Sequence, residues 1–102
     1  MVVLIDNDAT RLDLSEAILA KLRFAVAPFA SVDRALTAMQ GLMPEIVVAR
    51  TECLNELRDR LPLDRDGRAI PLLPLTAELS EPVRLIEALR QMIRRHRAQI
   101  KA

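Results

Sequence analysis

Tyrosine and tryptophan are absent, and Phe24 and Phe29 are the whole aromatic complement. A chain so poor in rings offers almost no platform for stacked bases, which argues against single-stranded nucleic-acid binding. Its core must be built from Leu, Ile, Val, Ala and Met, because hydrophobic residues still make up 51% of the chain. A lone cysteine, Cys53, excludes an internal disulfide and suits a reducing cytosol. No apolar run approaches the roughly 18 residues of a membrane span, and no charged-then-apolar leader is seen. A soluble cytoplasmic protein is therefore expected. Also missing are a Gly-rich phosphate loop, a nucleophile with a base and an orienting group, and a His/Cys cluster at metal spacing. The expectation is a non-enzyme without cofactor or metal.

What is present is a single domain's worth of chain, 102 residues carrying a net charge of +1. That charge sets up no global field strong enough to select a polyanionic partner. Thirteen of its fifteen cations are arginine. Four basic residues, Arg94, Arg95, Arg97 and Lys101, gather near the C-terminal end around His96.

The hydrophobic pattern alternates between short runs and helical periods. Val2 to Ile5 reads as a strand buried on both faces. Leu12, Leu14, Ala17, Ile18, Leu19 and Leu22 then recur at helical spacing, with Asp8 or Thr10 as the cap. A weak second strand is expected at Phe24 to Ala27, followed by a second helix capped by Ser31, running to about Gln40 and stopped by Gly41. Glu45 to Ala49 forms the third strand, and a third helix from about Glu52 carries Leu54, Leu57 and Leu61. Pro62 to Arg68 is a loop. Ala69 to Thr76 gives the fourth strand.

Pro71 and Pro74 cannot both lie on one free edge, because successive residues point their N–H groups to opposite sides. Pro71 therefore belongs at the entrance and Pro74 faces outward, which makes the fourth strand an edge. Ser80 caps the last helix, with Glu81 and Pro82 in its first turn. The order βαβαβαβα predicts an open parallel α/β sheet covered on both faces.

Three motifs stand in this order: VVLIDND at 2–8, PEIVVAR at 44–50 and LTA at 75–77. Together they resemble the receiver domain of bacterial two-component response regulators, over nearly the whole chain. The resemblance implies a CheY-like, flavodoxin-like sheet, here truncated to about four βα units where receivers have five. It also implies a phosphorylation pocket in which Asp6 holds the first acidic position, Asn7 the second, Thr76 the switch hydroxyl and Glu81 the place of the family's lysine. Asp8 belongs to the same acidic cluster.

At the phosphoacceptor position stands Arg50, which cannot form an acyl phosphate. One carboxylate and an amide beside a guanidinium make a poor magnesium site, and Arg50 is expected to pair with Asp6 or Asp8. The last helix matches either the terminal receiver helix or the fourth.

The resemblance further implies a phosphorylation-independent interaction module that meets a histidine kinase, a regulator or an effector domain. Its final helix carries an apolar stripe of Val83, Ile86, Leu89, Met92 and Ile93, read as an exposed surface for a homodimer. The alternative is a small nucleic-acid-associated regulator acting through the basic terminal helix, against which cations near a helix C-terminus have their own reason in the helix dipole. Cys53 reads as inert and His96 as a solvent-facing helix residue.

Overall fold

A computed structural model describes residues 1–57, 60–63, 67–76 and 82–101, with the last helix's side chains described from Val83 to Arg95. Four parallel strands, β1 (Val2–Ile5), β2 (Val26–Phe29), β3 (Ile46–Arg50) and β4 (Leu72–Leu75), form one sheet in the order β2-β1-β3-β4. The helices are α1 (Ala9–Lys21), α2 (Val32–Ala38), α3 (Leu54–Leu57) and α4 (Pro82–Lys101), with a 3-10 turn at Thr51–Cys53 leading into α3. This is an α/β fold of the open, doubly wound type with the flavodoxin-like strand order, cut short after its fourth strand.

The period-two alternation of the strands divides the core into two layers. Val2, Leu4, Ile46, Val48, Leu73 and Leu75 face one side with Leu12 and Leu19 of α1 and Leu85 and Leu89 of α4. Val3, Ile5, Val47 and Ala49 face the other with Val32, Ala35 and Met39 of the α2 region and Cys53 and Leu57 near α3. Right-handed crossovers explain the division. The chain moves one way along the sheet from β1 to β2, and the opposite way from β2 to β3 and from β3 to β4. Hence α1 lies on one face and α2 and α3 on the other. A helix leading to a further strand outside β4 would join α2 and α3. Instead α4 lies with α1, folded back over the sheet.

Both edge strands carry a proline at a position that harms no ladder bond. The Pro71 carbonyl accepts from the Val47 N–H at 2.9 Å, so by alternation Pro74 turns its imino nitrogen to the free edge of β4. On the opposite edge the Ala25 and Phe29 carbonyls accept from Val2 and Asp6, which turns Pro28 outward in the same way. Neither edge offers a full row of donors to another sheet.

Several boundaries differ from the sequence reading, each for a local reason. β2 begins at Val26, not Phe24, because Arg23 and Phe24 close α1. The Arg23 N–H donates to the Ala20 carbonyl at 3.0 Å and the Phe24 N–H to the Leu19 carbonyl at 3.1 Å, a Schellman pair with Arg23 at φ 66°. Gly41 has no left-handed φ and does not stop α2 in that manner; α2 ends at Ala38 and unwinds through bonds from Gln40, Gly41 and Leu42 to the carbonyls of Thr37 and Ala38. β4 is shorter than expected because Ala69 pairs antiparallel with Leu63. Leu61, half-buried, lies outside α3.

The apolar stripe of α4 requires a larger correction. Leu89 is 0% exposed and so belongs to the domain's own core and not to an exposed interaction surface, while Met92 is half-buried and packs against the same cluster. The helix turns Leu85 and Leu89, four residues apart, onto β4 and its neighbours. Of the remaining stripe, Val83 is 65% exposed while Ile86 and Ile93 are half-buried at the flank. Among the described residues, no helix is long and apolar enough to cross a membrane.

Candidate functional site

β1 and β3 are paired in register, Ile5 beside Ala49, so both strands end at the same level on the carboxyl edge of the sheet. There the chain delivers Asp6 from β1 and Arg50 from β3. Such edges are where open α/β sheets gather ligands, because the loops diverge and leave space. Here the space is filled by the protein's own charges.

Asp6 is the only charged residue buried in the core among the described residues, at 0% exposure. Its Oδ2 accepts from Arg50 Nε at 3.2 Å and from Arg11 Nε at 3.3 Å, while its Oδ1 accepts from Arg11 Nη2 at 3.1 Å and from the Asp8 N–H at 3.0 Å. Each carboxylate oxygen thus has two donors, which uses the roughly four acceptor sites that an ionised carboxylate offers. A buried charge without such partners would cost several kcal/mol. The expected Arg50 partner is therefore Asp6, and Arg50, with its side chain 12% exposed, also reaches from β3 to the end of β4, where Nη1 lies 3.5 Å from the Leu75 carbonyl.

Arg11 was not among the candidates, and it supplies half of the donors. It stands in the first turn of α1, whose side chains tilt back toward the helix N-terminus and so over the carboxyl edge of the sheet. Its Nη2 also reaches Asn7 Oδ1 at 3.3 Å and Glu52 Oε2 at 3.6 Å. The contacts with Asp6 hold the Arg11 guanidinium even more firmly protonated than usual. The signal for it was an arginine three residues beyond a capping aspartate, which the motif comparison passes over.

The other members of the expected pocket scatter in role. Asp8 is exposed and caps α1, accepting from the Arg11 N–H at 3.0 Å; that bond, with the charge of Arg11 nearby, pulls its carboxyl below the ordinary 3.8 against a smaller burial effect. Asn7 is exposed, and its side-chain Oδ1 accepts from Arg11 Nη2. Thr76 is half-buried directly after Leu75. Glu81, like Ala77 and Ser80, lies outside the described residues. Arg94 and Arg95 are exposed on α4, and the side chains of His96, Arg97 and Lys101 also lie outside the described residues. Cys53 is buried below the site, and burial first, then the negative charge of Asp6, push its thiol up, leaving it a poor nucleophile.

No group of three or more His, Cys, Asp or Glu side chains able to hold a metal ion occurs among the described residues. A divalent cation at Asp6 would first have to displace two guanidiniums. In comparisons with protein families, curated proteins and solved structures, nothing matches this chain.

Proposed function

We propose that this chain is a receiver-like protein interaction module of bacterial signal transduction whose phosphorylation pocket is locked by its own arginines. The observation that carries this reading is the saturation of Asp6 by Arg50, Arg11 and the Asp8 amide. In a switching receiver the corresponding carboxylates gather a metal and a phosphoryl group. Here Arg50 stands in place of the nucleophile, and the cation it brings is already neutralised.

Two further features support the reading. The strand order and register bring Asp6, Arg50 and the end of β4 together at one edge, as the receiver resemblance requires. The packing of α4 beside α1 fits a terminal receiver helix better than a fourth, crossover helix. The domain then serves as a fixed surface for a signalling protein in the cytoplasm, a histidine kinase, a regulator or an effector domain. The homodimer expected through the α4 stripe is not carried into this proposal, because Leu89, at the centre of that stripe, is committed to the core.

The test is chemical inertness. Incubation with acetyl phosphate, or with beryllofluoride and magnesium, should leave the intact mass and the amide NMR spectrum unchanged. A stoichiometric phosphoryl adduct would overturn the proposal.

A further inference from the structure

We propose that the groove between α4 and the entrance to β2 docks an acidic amphipathic protein segment, one apolar side chain seated between Phe24 and Ile93 and its flanking carboxylates on Arg90 and Arg94. The groove measures about 300 Å³ and, among the described residues, is lined by these four, at the lower end of the roughly 300–1,000 Å³ that ligand pockets occupy. It lies at the amino end of the sheet, where the Val2 N–H meets the Ala25 carbonyl, and so at the opposite end from the Asp6 pocket.

Three observations point to an anionic occupant with an apolar anchor. Among the described residues, neither Arg90 nor Arg94 pairs with a carboxylate, and both are exposed. Standing four apart on a helix, like charges repel and weaken it. The helix dipole does not account for them, since its effect fades within the last turn and Arg94 stands about two turns before Lys101.

The floor between them is apolar and partly covered. Phe24 and Ile93 are both half-buried, and Phe24 packs on the α1–α4 layer while leaving part of its surface in the groove. Immediately before Phe24, Arg23 occupies a left-handed backbone position with φ 66°, which glycine would fill without strain. A third arginine, without a carboxylate partner among the described residues, is thus kept beside the groove at a local conformational cost.

The concave floor decides between classes of partner. A nucleic acid would use the arginines through phosphates and has no use for a recessed apolar floor. A bilayer surface takes up protruding apolar side chains, not a recess between cations. A leucine-type anchor flanked by glutamate or aspartate matches both the recess and its rim.

The probe is a fluorescently labelled, glutamate-rich amphipathic peptide with a single leucine, titrated into the full chain while anisotropy and the amide shifts of Phe24 and Ile93 are followed. Binding with shifts at these two residues is expected, weakened about tenfold or more by Arg90→Gln with Arg94→Gln, and likewise by leucine-to-alanine in the peptide. Both arginines are exposed, so the double variant should keep its thermal midpoint, which is measured alongside. Absence of binding at millimolar peptide overturns the proposal, as does equal binding of the leucine-free peptide. Duplex DNA, or phosphatidylserine-containing vesicles, binding through the same arginines while the peptide does not would also overturn it, in favour of those partners. Self-association that occupies the groove in place of peptide would overturn it too. A chain inert to beryllofluoride that ignores the peptide loses only the groove; one that binds peptide but takes up a phosphoryl group loses only the locked pocket.

Discussion

Arg50 Nε lies 3.2 Å from Asp6 Oδ2, a contact that joins residues 44 apart in sequence and ties the end of β3 to the end of β1. Its energetic weight depends on what remains when one partner is removed. Arg50→Ala leaves Asp6 with Arg11 and the Asp8 amide, and should cost about 1–3 kcal/mol. Asp6→Ala leaves two facing guanidiniums with no carboxylate between them, one of them nearly buried, and should cost about 3–5 kcal/mol. Urea unfolding of both variants checks the order; an Arg50→Ala variant as stable as wild type would return Arg50 to the solvated surface. Arg50→Asp should also destabilise at low magnesium by crowding like charges.

Stability at acid pH should depend on Asp8. Because its carboxyl is held below 3.8 in the folded chain, chiefly by the Arg11 N–H, its contribution is present above that value and is lost as pH falls through the lowered folded value. Asp8→Asn keeps a capping oxygen without a titrating group. The stability difference between wild type and Asp8→Asn should therefore shrink as pH drops below about 3.8, measured by urea midpoints across an acid series. A difference that stays constant through that window would show that the cap does not titrate.

Substitutions along α4 should separate core from surface. Leu89→Ala should cost about 2–5 kcal/mol through the cavity it opens, and Leu89→Glu should unfold the domain instead of splitting a dimer. Val83→Ala, at an exposed position, should stay within about 0.5 kcal/mol of wild type. Thermal melts paired with sedimentation distinguish these outcomes. A folded Leu89→Glu monomer arising from a wild-type dimer would mean that the helix packs outward.

Arg23 offers a gain in stability. Replacing it by glycine should relieve the left-handed backbone and stabilise the chain by about 1 kcal/mol, the larger freedom of glycine in the unfolded chain offsetting part of the relief. A thermal midpoint that falls on Arg23→Gly would mean that the arginine side chain makes a stabilising contact outweighing the strain.

How much of this could be read from the chain follows from how local each signal was. The order of the elements rests on alternating apolar runs and helical periods, and Pro71 with Pro74 was enough to place β4 at an edge. The Ser31 cap, and a cap at Asp8 or Thr10 that the structure assigns to Asp8, were legible because capping is chemistry within a single turn. That Arg50 pairs with Asp6 or Asp8 was legible only through the receiver resemblance; the register of β1 and β3, which brings Asp6 and Arg50 to one level, decides for Asp6. Arg11 was missed because its role depends on the direction in which α1 leaves Asp8, which no spacing reports. The outward reading of Leu89 failed because an amphipathic stripe states which face is apolar but not what covers it. The sheet covers it, and α4 reaches the sheet only because it folds back over the α1 face. Arg23, not a glycine, takes the left-handed position that closes α1, while Gly41 does not close α2, since a left-handed cap prefers glycine without requiring it.

The locked pocket is tested most directly by a magnesium titration watched at the Arg50 Nε–H and at the amides of Asp6, Asn7 and Asp8. With Asp6 saturated by two guanidiniums and a backbone amide, these resonances should not move up to millimolar magnesium, with or without beryllofluoride, and the Arg50 Nε–H should exchange slowly. Saturable shifts at Asp6 together with rapid exchange of the Arg50 Nε–H would show that the carboxylate is free to bind a cation, and would contradict the account.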